Sequence, residues 1–365
     1  DAISEVREAI DFIRYYNIKA DHLFNNNIKQ QGYTGEHNLI AYHPKGIFAC
    51  ISPWNFPLAI FTGQIIAAIA TGNAVVAKPA SNTTAVATFA VKLMHKAGVP
   101  THALNLIIAS GRDVNSELLS SEKISGVCFT GSTETAWTIN KTLAARKAPI
   151  ASFIAETGGQ NCMIVDSTAL LEQVADDVIR SAFISQGQRC SALRVLYIQT
   201  EIYDELLELI KGAIDQLQIG DPNNLYNDLG PMIDENAVKD MKEHVINFGK
   251  KVHHSSHKLP NKGAYYAPKV IEISKIAQLK EEKFGPILHV IKFKASQLNK
   301  VVDEVNSTGY GLTFGIHSRM QNRYQKIARQ IRAGNIYINR NTIGAVVETN
   351  PFGGEGLSGT GFKAG

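Results

Sequence analysis

One thiol and one carboxylate carry most of the chemical suggestion in this chain. Cys190 lies in Gly187-Gln188-Arg189-Cys190-Ser191-Ala192, and Glu156 opens Glu156-Thr157-Gly158-Gly159-Gln160-Asn161. A thiol beside the cationic Arg189 can be held partly as thiolate, and a carboxylate brought near it can activate a water. The pair suggests covalent attack followed by hydrolysis. Taken singly, each has an ordinary reading, because most free cysteines are small buried hydrophobes and most glutamates are solvated. Asn55, an amide between Trp54 and Phe56, reads on its own as a turn cap.

Company changes the weighting. Ile51-Ser52-Pro53-Trp54-Asn55-Phe56-Pro57, Ala77-Lys78-Pro79, Phe129-Thr130-Gly131-Ser132 and Glu282-Lys283-Phe284-Gly285-Pro286 join the two stretches around Glu156 and Cys190. In that order, over nearly the whole chain, they resemble the aldehyde dehydrogenase superfamily. The resemblance implies an enzyme with Cys190 as nucleophile and Glu156 as general base. Asn55 would donate, with the Cys190 backbone N–H, to the oxyanion formed on attack, where one placed donor contributes on the order of 3 kcal/mol. It also implies a nicotinamide dinucleotide held by Lys78, by Gly131-Ser132 and by the backbone around Ser52-Pro53-Trp54, with Glu282 and Phe284 at the nicotinamide ribose. Gly131-Ser132 would offer N–H groups to the pyrophosphate, although the same residues suit a plain strand-to-helix cap. Where the family carries a glutamate three residues after the lysine, this chain has Ser81. NAD is the expected cofactor, and NADP is not excluded.

Within the superfamily, Cys50–Gln64, Ala155–Asn161, Ile343-Gly344-Ala345-Val346-Val347 and Pro351–Gly361 resemble the glutamate semialdehyde (1-pyrroline-5-carboxylate) dehydrogenase modules of bifunctional proline utilization proteins. By that resemblance Gly344 and Ala345 hold the substrate α-carboxylate through backbone N–H groups, helped by Ser191. Phe56 and Phe352 sandwich the aliphatic chain, and Arg189 adds positive field. Bare N–H groups at small residues are a sensible carboxylate trap. A homo-oligomer is implied, as is a longer polypeptide, with FAD only if an upstream proline dehydrogenase domain belongs to it. Two rivals stand beside this reading: a dehydrogenase for a different carboxylated aldehyde, and a catalytically silent oligomerisation module.

These residues need elements to position them. Apolar residues at helical spacing in 5–22 (Val6, Ile10, Ile13, Ile18) predict an opening helix, and the polar stretch from Asn25 to Glu36 reads as an exposed hairpin. From residue 46, strands over 47–51, 74–77, 104–108, 125–129 and 150–154 alternate with helices over 58–71, 83–97 and 132–145. That alternation predicts an α/β fold with a parallel, doubly wound, Rossmann-type sheet. A second α/β unit follows, with helices over 170–186 and 203–218 and strands over 195–199, 288–293, 315–317 and 335–339. The expected domains are therefore dinucleotide-binding (1–22 and 45–157), a hairpin for oligomerisation (23–44), catalytic (158–340), and a substrate-anchor loop with a glycine-rich tail (341–365). By resemblance, Cys190 faces the dinucleotide domain across a cleft. Gly354-Glu355-Gly356-Leu357-Ser358-Gly359 matches GxGxxG formally, but it follows no strand of a βαβ unit and opens no helix.

Composition narrows the class. At 365 residues, 44% hydrophobic and 19% charged, the chain is an ordinary globular protein long enough for two domains. A net charge of +4 with no basic block is too weak to argue for nucleic acid. Cys50, Cys128, Cys162 and Cys190 lack the close spacing of metal or redox motifs, so no metal is expected, and a reduced cytoplasm fits best. Residues 46–77 carry no charge, but Pro53, Asn55, Pro57, Gln64, Gly72 and Asn73 interrupt them, predicting strand, helix and strand in place of a membrane span. The opening residues from Asp1 lack the pattern of a signal peptide.

Overall fold

The computed structural model describes residues 2–25, 28–361 and 363–365, so Asp1, at the start of the expected first domain, and Asn26 and Asn27 of the expected hairpin lie outside the described residues. The chain divides into two compact units. The first comprises Asp1–Thr157, Ala345–Phe352 and Phe362–Gly365, and the second Gly158–Gly344 and Gly353–Gly361.

The first unit is built on five parallel strands in the order Leu104–Leu106, Ala74–Lys78, Ile47–Ile51, Ile124–Thr130, Ser152–Glu156. Successive side chains on a strand point to opposite faces. Ala49, Ile51, Val127 and Phe129 accordingly enter one core with Ala136 and Ile139 of helix Thr133–Ala145. Cys50, Val75, Ala77 and Leu104 enter the other, with Phe61 and Ile65 of helix Ala59–Ala70 and Ala87, Ala90 and Val91 of helix Thr84–Lys96. Helices on both faces make the sheet doubly wound. The uncharged stretch 46–77 resolves into strand, helix and strand, and no helix among the described residues is long and apolar enough to cross a membrane.

The opening helix, Ala2–Asn25, forms as expected but turns a different face inward. Val6, Ile10, Ile13 and Ile18 are exposed, and Ala9, Phe12 and Ala20 are buried. The reason is close packing: Phe12 lies on helix 59–70 at Gly63, where a Cβ would stand 3.1 Å from its ring. Glu5 reaches the same helix and accepts from the N–H groups of Leu58 (2.9 Å) and Ala59 (3.4 Å), satisfying orphan donors at its N-terminus. Beyond it, exposed strands Ile28–Gln30 and Asn38–Ile40 pair antiparallel.

The second unit holds seven strands in the order Val252–His254, Lys269–Glu272, Ile287–Phe293, Val195–Gln199, Cys162–Val165, Thr313–His317, Asn335–Ile338, parallel except for the first pair. Cys162, Ile164, Val195 and Tyr197 face one core, and Met163, Val165, Leu196 and Ile198 the other. Helices Leu171–Phe183 and Tyr203–Gln216 cover the second face, while Glu235–Ile246, Leu298–Ser307 and Gln321–Gln330 cover the first.

The helix expected over 170–186 stops at Phe183. Ser185, Gln186 and Gly187 all take positive φ, at 57°, 57° and 61°. The left-handed run throws the chain out of the helix and into the segment that carries Cys190. Gly187 is required there: a Cβ would meet the Gly285 carbonyl and stand 2.7 Å from that of Ala182. The GxGxxG stretch contributes only the two-residue strand Glu355–Gly356, paired with Tyr310–Gly311.

Candidate active site

In the first unit the predicted cofactor and catalytic residues gather at the carboxyl ends of the strands. Strand order reverses beside Ile47–Ile51, which is flanked by Ala74–Lys78 and Ile124–Thr130, and such switch points are where doubly wound sheets bind ligands. Ile51 is level with Lys78, and Thr130 with Glu156. The segment Ser52–Phe56, the Lys78 amine, the Gly131-Ser132 turn and Glu156 therefore all leave the sheet at one end. Gln64 braces that edge, donating to the Ile51 carbonyl (3.3 Å) and to Thr130 Oγ1 (3.0 Å).

Ser132 caps helix 133–145, its Oγ accepting from Thr135 N at 3.3 Å. The Gly131 N–H donates to the Glu156 carbonyl at 3.1 Å, so it is not one of the free donors that the sequence suggested. Two features suit a polar ligand. Ser52 is buried and its Oγ lacks a hydrogen-bond partner among the described residues. Burial alone pulls the Lys78 ammonium below its ordinary pKa, the condition of a cation short of a counter-charge. Ser81 is exposed at the start of the short helix Ser81–Thr83. Trp54, Asn55, Phe56 and Pro53 are half-buried, as is Phe352, whose N–H and carbonyl pair with Ala364 (3.0 and 2.7 Å).

In the second unit the Cys190 loop is held by its carbonyls. Arg194 Nη1 donates to Gly187 O (2.7 Å) and Nη2 to Arg189 O (3.1 Å). Asn161 Nδ2 donates to Cys190 O (2.7 Å) and Ala192 O (2.9 Å). Ser191 O accepts from Thr313 Oγ1 (3.3 Å) and Thr342 Oγ1 (3.1 Å). Arg194, Asn161, Thr313 and Thr342 are all buried. The Arg189 side chain turns to Ser185, with Nε donating to Oγ at 2.9 Å.

Glu282 is not part of a solvated acidic pair. Its Oε1 accepts from Arg194 Nη2 (2.9 Å) and Nε (3.2 Å), and its Oε2 from Gly159 N (3.1 Å). Burial raises its pKa, and the Arg194 charge and hydrogen bonds oppose the rise. Arg194 also lies over the Phe284 ring, 5.2 Å from its centroid. Glu281 pairs instead with Lys283 at 2.7 Å.

Around the expected anchor loop, Arg340 donates to the carbonyls of Asn341 (3.1 Å, Nε) and Ile343 (3.1 Å, Nη2), and Thr342 N donates to Ser181 Oγ (3.0 Å). Gly344 follows at φ 72°. The N–H groups of Gly344 and Ala345 have no acceptor among the described residues. Sequence reasoning missed Asn161, Arg194, Thr313, Arg340 and Thr342. Asn161 and Arg194 lay inside or beside quoted motifs, and only their contacts reveal what they do.

Three comparisons bear on identity. "Bifunctional protein PutA" of Klebsiella aerogenes is 44% identical to all of this chain, which spans 28% of that relative's length. "1-pyrroline-5-carboxylate dehydrogenase 1" of Halalkalibacterium halodurans is 36% identical, again over all of this chain and over 72% of the relative. A crystal structure of 1-pyrroline-5-carboxylate dehydrogenase from Thermus with bound NAD matches with a TM-score of 0.92 at 36% identity, covering 99% of this chain and 70% of that one. With the aldehyde dehydrogenase family model matched over residues 1–365 as well, sequence and fold agree that this chain belongs to the aldehyde dehydrogenase family.

Proposed function

We propose that the chain oxidises L-glutamate 5-semialdehyde to L-glutamate, with NAD as electron acceptor. The observation that carries the substrate assignment is the pair of acceptor-less N–H groups at Gly344 and Ala345, beside carbonyls fixed by Arg340. Adjacent backbone donors suit a carboxylate. The names of the Halalkalibacterium and Thermus relatives support the same substrate. The buried Ser52 Oγ and the under-compensated Lys78 at the switch point suit a dinucleotide, as does the NAD in the Thermus structure.

In the proposed mechanism Cys190 Sγ adds to the aldehyde carbon, and Asn55 Nδ2 donates to the oxyanion that results. NAD, held by Lys78, Ser52 and Glu282, would accept the hydride when bound, leaving the acyl group as a thioester on Cys190. Glu156 then takes a proton from a water as its oxygen adds to the thioester carbon, and the Cys190 thiolate departs with the released electron pair. Glu282 and Phe284 would hold the nicotinamide ribose, and Gly131, Ser132, Trp54, Pro53 and Ser81 would line the rest of the cofactor site. Phe56 and Phe352 would flank the aliphatic chain, with Ser191 helping to hold the α-carboxylate and Arg189 adding positive field. The reading extends to a longer bifunctional polypeptide, of which the first unit would be the dinucleotide domain and the second the catalytic domain.

Ala345→Leu tests the assignment without touching the chemistry. Crowding the loop should cost two charge-assisted hydrogen bonds, on the order of 3 kcal/mol, and so lower kcat/KM for glutamate semialdehyde by roughly a hundredfold. Propanal, which has no carboxylate, should lose far less. Equal losses would make the loop structural and remove the substrate assignment.

A further inference from the structure

Arg194 is 2% exposed, and every N–H of its guanidinium is used. A guanidinium carries five donors in a rigid fork. Here Nε binds Glu282 Oε1, Nη1 binds the carbonyls of Gly187 and Gly285 (2.7 and 3.3 Å), and Nη2 binds Arg189 O and Glu282 Oε1. Two of these acceptors lie within the three residues before Cys190, and the carboxylate belongs to the other segment proposed to meet the cofactor. Gly285 closes the Glu282-Lys283-Phe284-Gly285 turn, so both ends of that turn are tied to one side chain. The backbone of Arg194 is fixed as firmly: its N–H donates to Asn161 O (2.9 Å), and its carbonyl accepts from His289 N (2.9 Å) and pairs with His289 Nδ1 (3.1 Å).

We infer that Arg194 is a positioning residue that sets the nucleophile loop and the Glu282 carboxylate in one frame, so that occupancy of the cofactor segment and the placement of Cys190 depend on each other. The inference rests on the proposed function. Charge alone does not explain the geometry, because a lysine keeps the charge but offers three donors from one atom and cannot span four acceptors.

The test uses the 365-residue chain and its Arg194→Lys, Glu282→Gln and doubly substituted variants. The Lys variant should lose at least tenfold in kcat and bind NAD about tenfold more weakly, with its thermal midpoint within a few degrees of the parent. Glu282→Gln should also weaken NAD, and in the double variant the two losses of NAD affinity should not multiply, since they run through one contact. A Lys variant within twofold of the parent in both parameters, or losses that multiply, overturns the inference. Hydrogen exchange supplies a measurement that needs no change at Arg194. NAD should slow exchange across residues 187–194 in the parent and do so much less in Glu282→Gln; equal slowing in both overturns the inference even if the Lys variant fails to fold. All assays use propanal, so a parent that oxidises propanal but not glutamate semialdehyde sinks only the substrate assignment. A parent that binds no NAD sinks both proposals.

Discussion

Glu156 and Glu282 are assigned opposite tasks, and their surroundings differ accordingly. Glu282 is fixed by Arg194 and Gly159 and is suited to orienting a ligand, whereas Glu156 closes a strand at the switch-point end of the first sheet. Replacing Glu156 by Gln should therefore stop only the water-activating step. A burst of NADH close to one per site should survive while steady turnover falls by on the order of a thousandfold; rapid-mixing absorbance at the nicotinamide band reads both, and a missing burst would move the base elsewhere. Gly158→Ala probes the other carboxylate. The new Cβ would land on Glu282 Oε2, a side-chain atom and not backbone, so the carboxylate must shift away from Gly159. KM for NAD should rise about tenfold, equivalent to about 1.4 kcal/mol, with kcat within threefold. An unchanged KM in initial-rate assays would separate Glu282 from the cofactor.

At the scale of elements, the break after helix 171–183 and the packing of helix 235–246 on strand 287–293 control the loop. Gly187→Ala sets a Cβ against two carbonyls in a left-handed conformation, costing about 2 kcal/mol or more. Calorimetry should show a midpoint lowered by roughly 4 °C or more, and full activity with an unchanged midpoint would contradict the steric reading. The second contact joins His244 Nε2 to His289 Nε2 at 2.9 Å. Because His289 Nδ1 faces a carbonyl, it carries the proton there, so His289 Nε2 accepts and His244 Nε2 donates. Burial pushes His244 down to about 4 and His289 to about 3. Both folded values lie below the ordinary imidazole range, so the unfolded chain binds protons that the folded chain refuses. Stability is then full above about pH 6.5 and falls through the window down to the folded values. Midpoints measured at pH 7.5 and 5.5 should fall in the parent, and fall less when both histidines become Gln. Equal falls would place the pH sensitivity elsewhere. These elements were only partly legible in the sequence. Alternating strands and helices announce themselves through local periodicity, but the buried face of helix 2–25 is decided by Phe12 meeting Gly63, and the left-handed run after Phe183 depends on Gly187 clearing the Gly285 carbonyl, far off in sequence.

Across the whole molecule, the same division separates what local motifs disclose from what tertiary contacts decide. Cys190, Glu156 and Asn55 stand in compact motifs whose resemblance suggests their chemistry, whereas Arg194, Thr313 and Thr342 look like any buried polar residue until the chain folds. The contacts that hold the Cys190 loop join residues far apart in sequence: Arg194 to Glu282 across 88 positions, Asn161 to Thr313 across 152, and Ser191 to Thr342 across 151. Closing loops of that length costs chain entropy before any contact repays it, which makes such pairings late events in folding. Protein synthesis runs from the amino end, so Cys190 leaves the ribosome long before Thr342 exists. Until then the Cys190 loop lacks the contacts that hold it, and the half-exposed thiol proposed as nucleophile stands in an unframed segment of the growing chain.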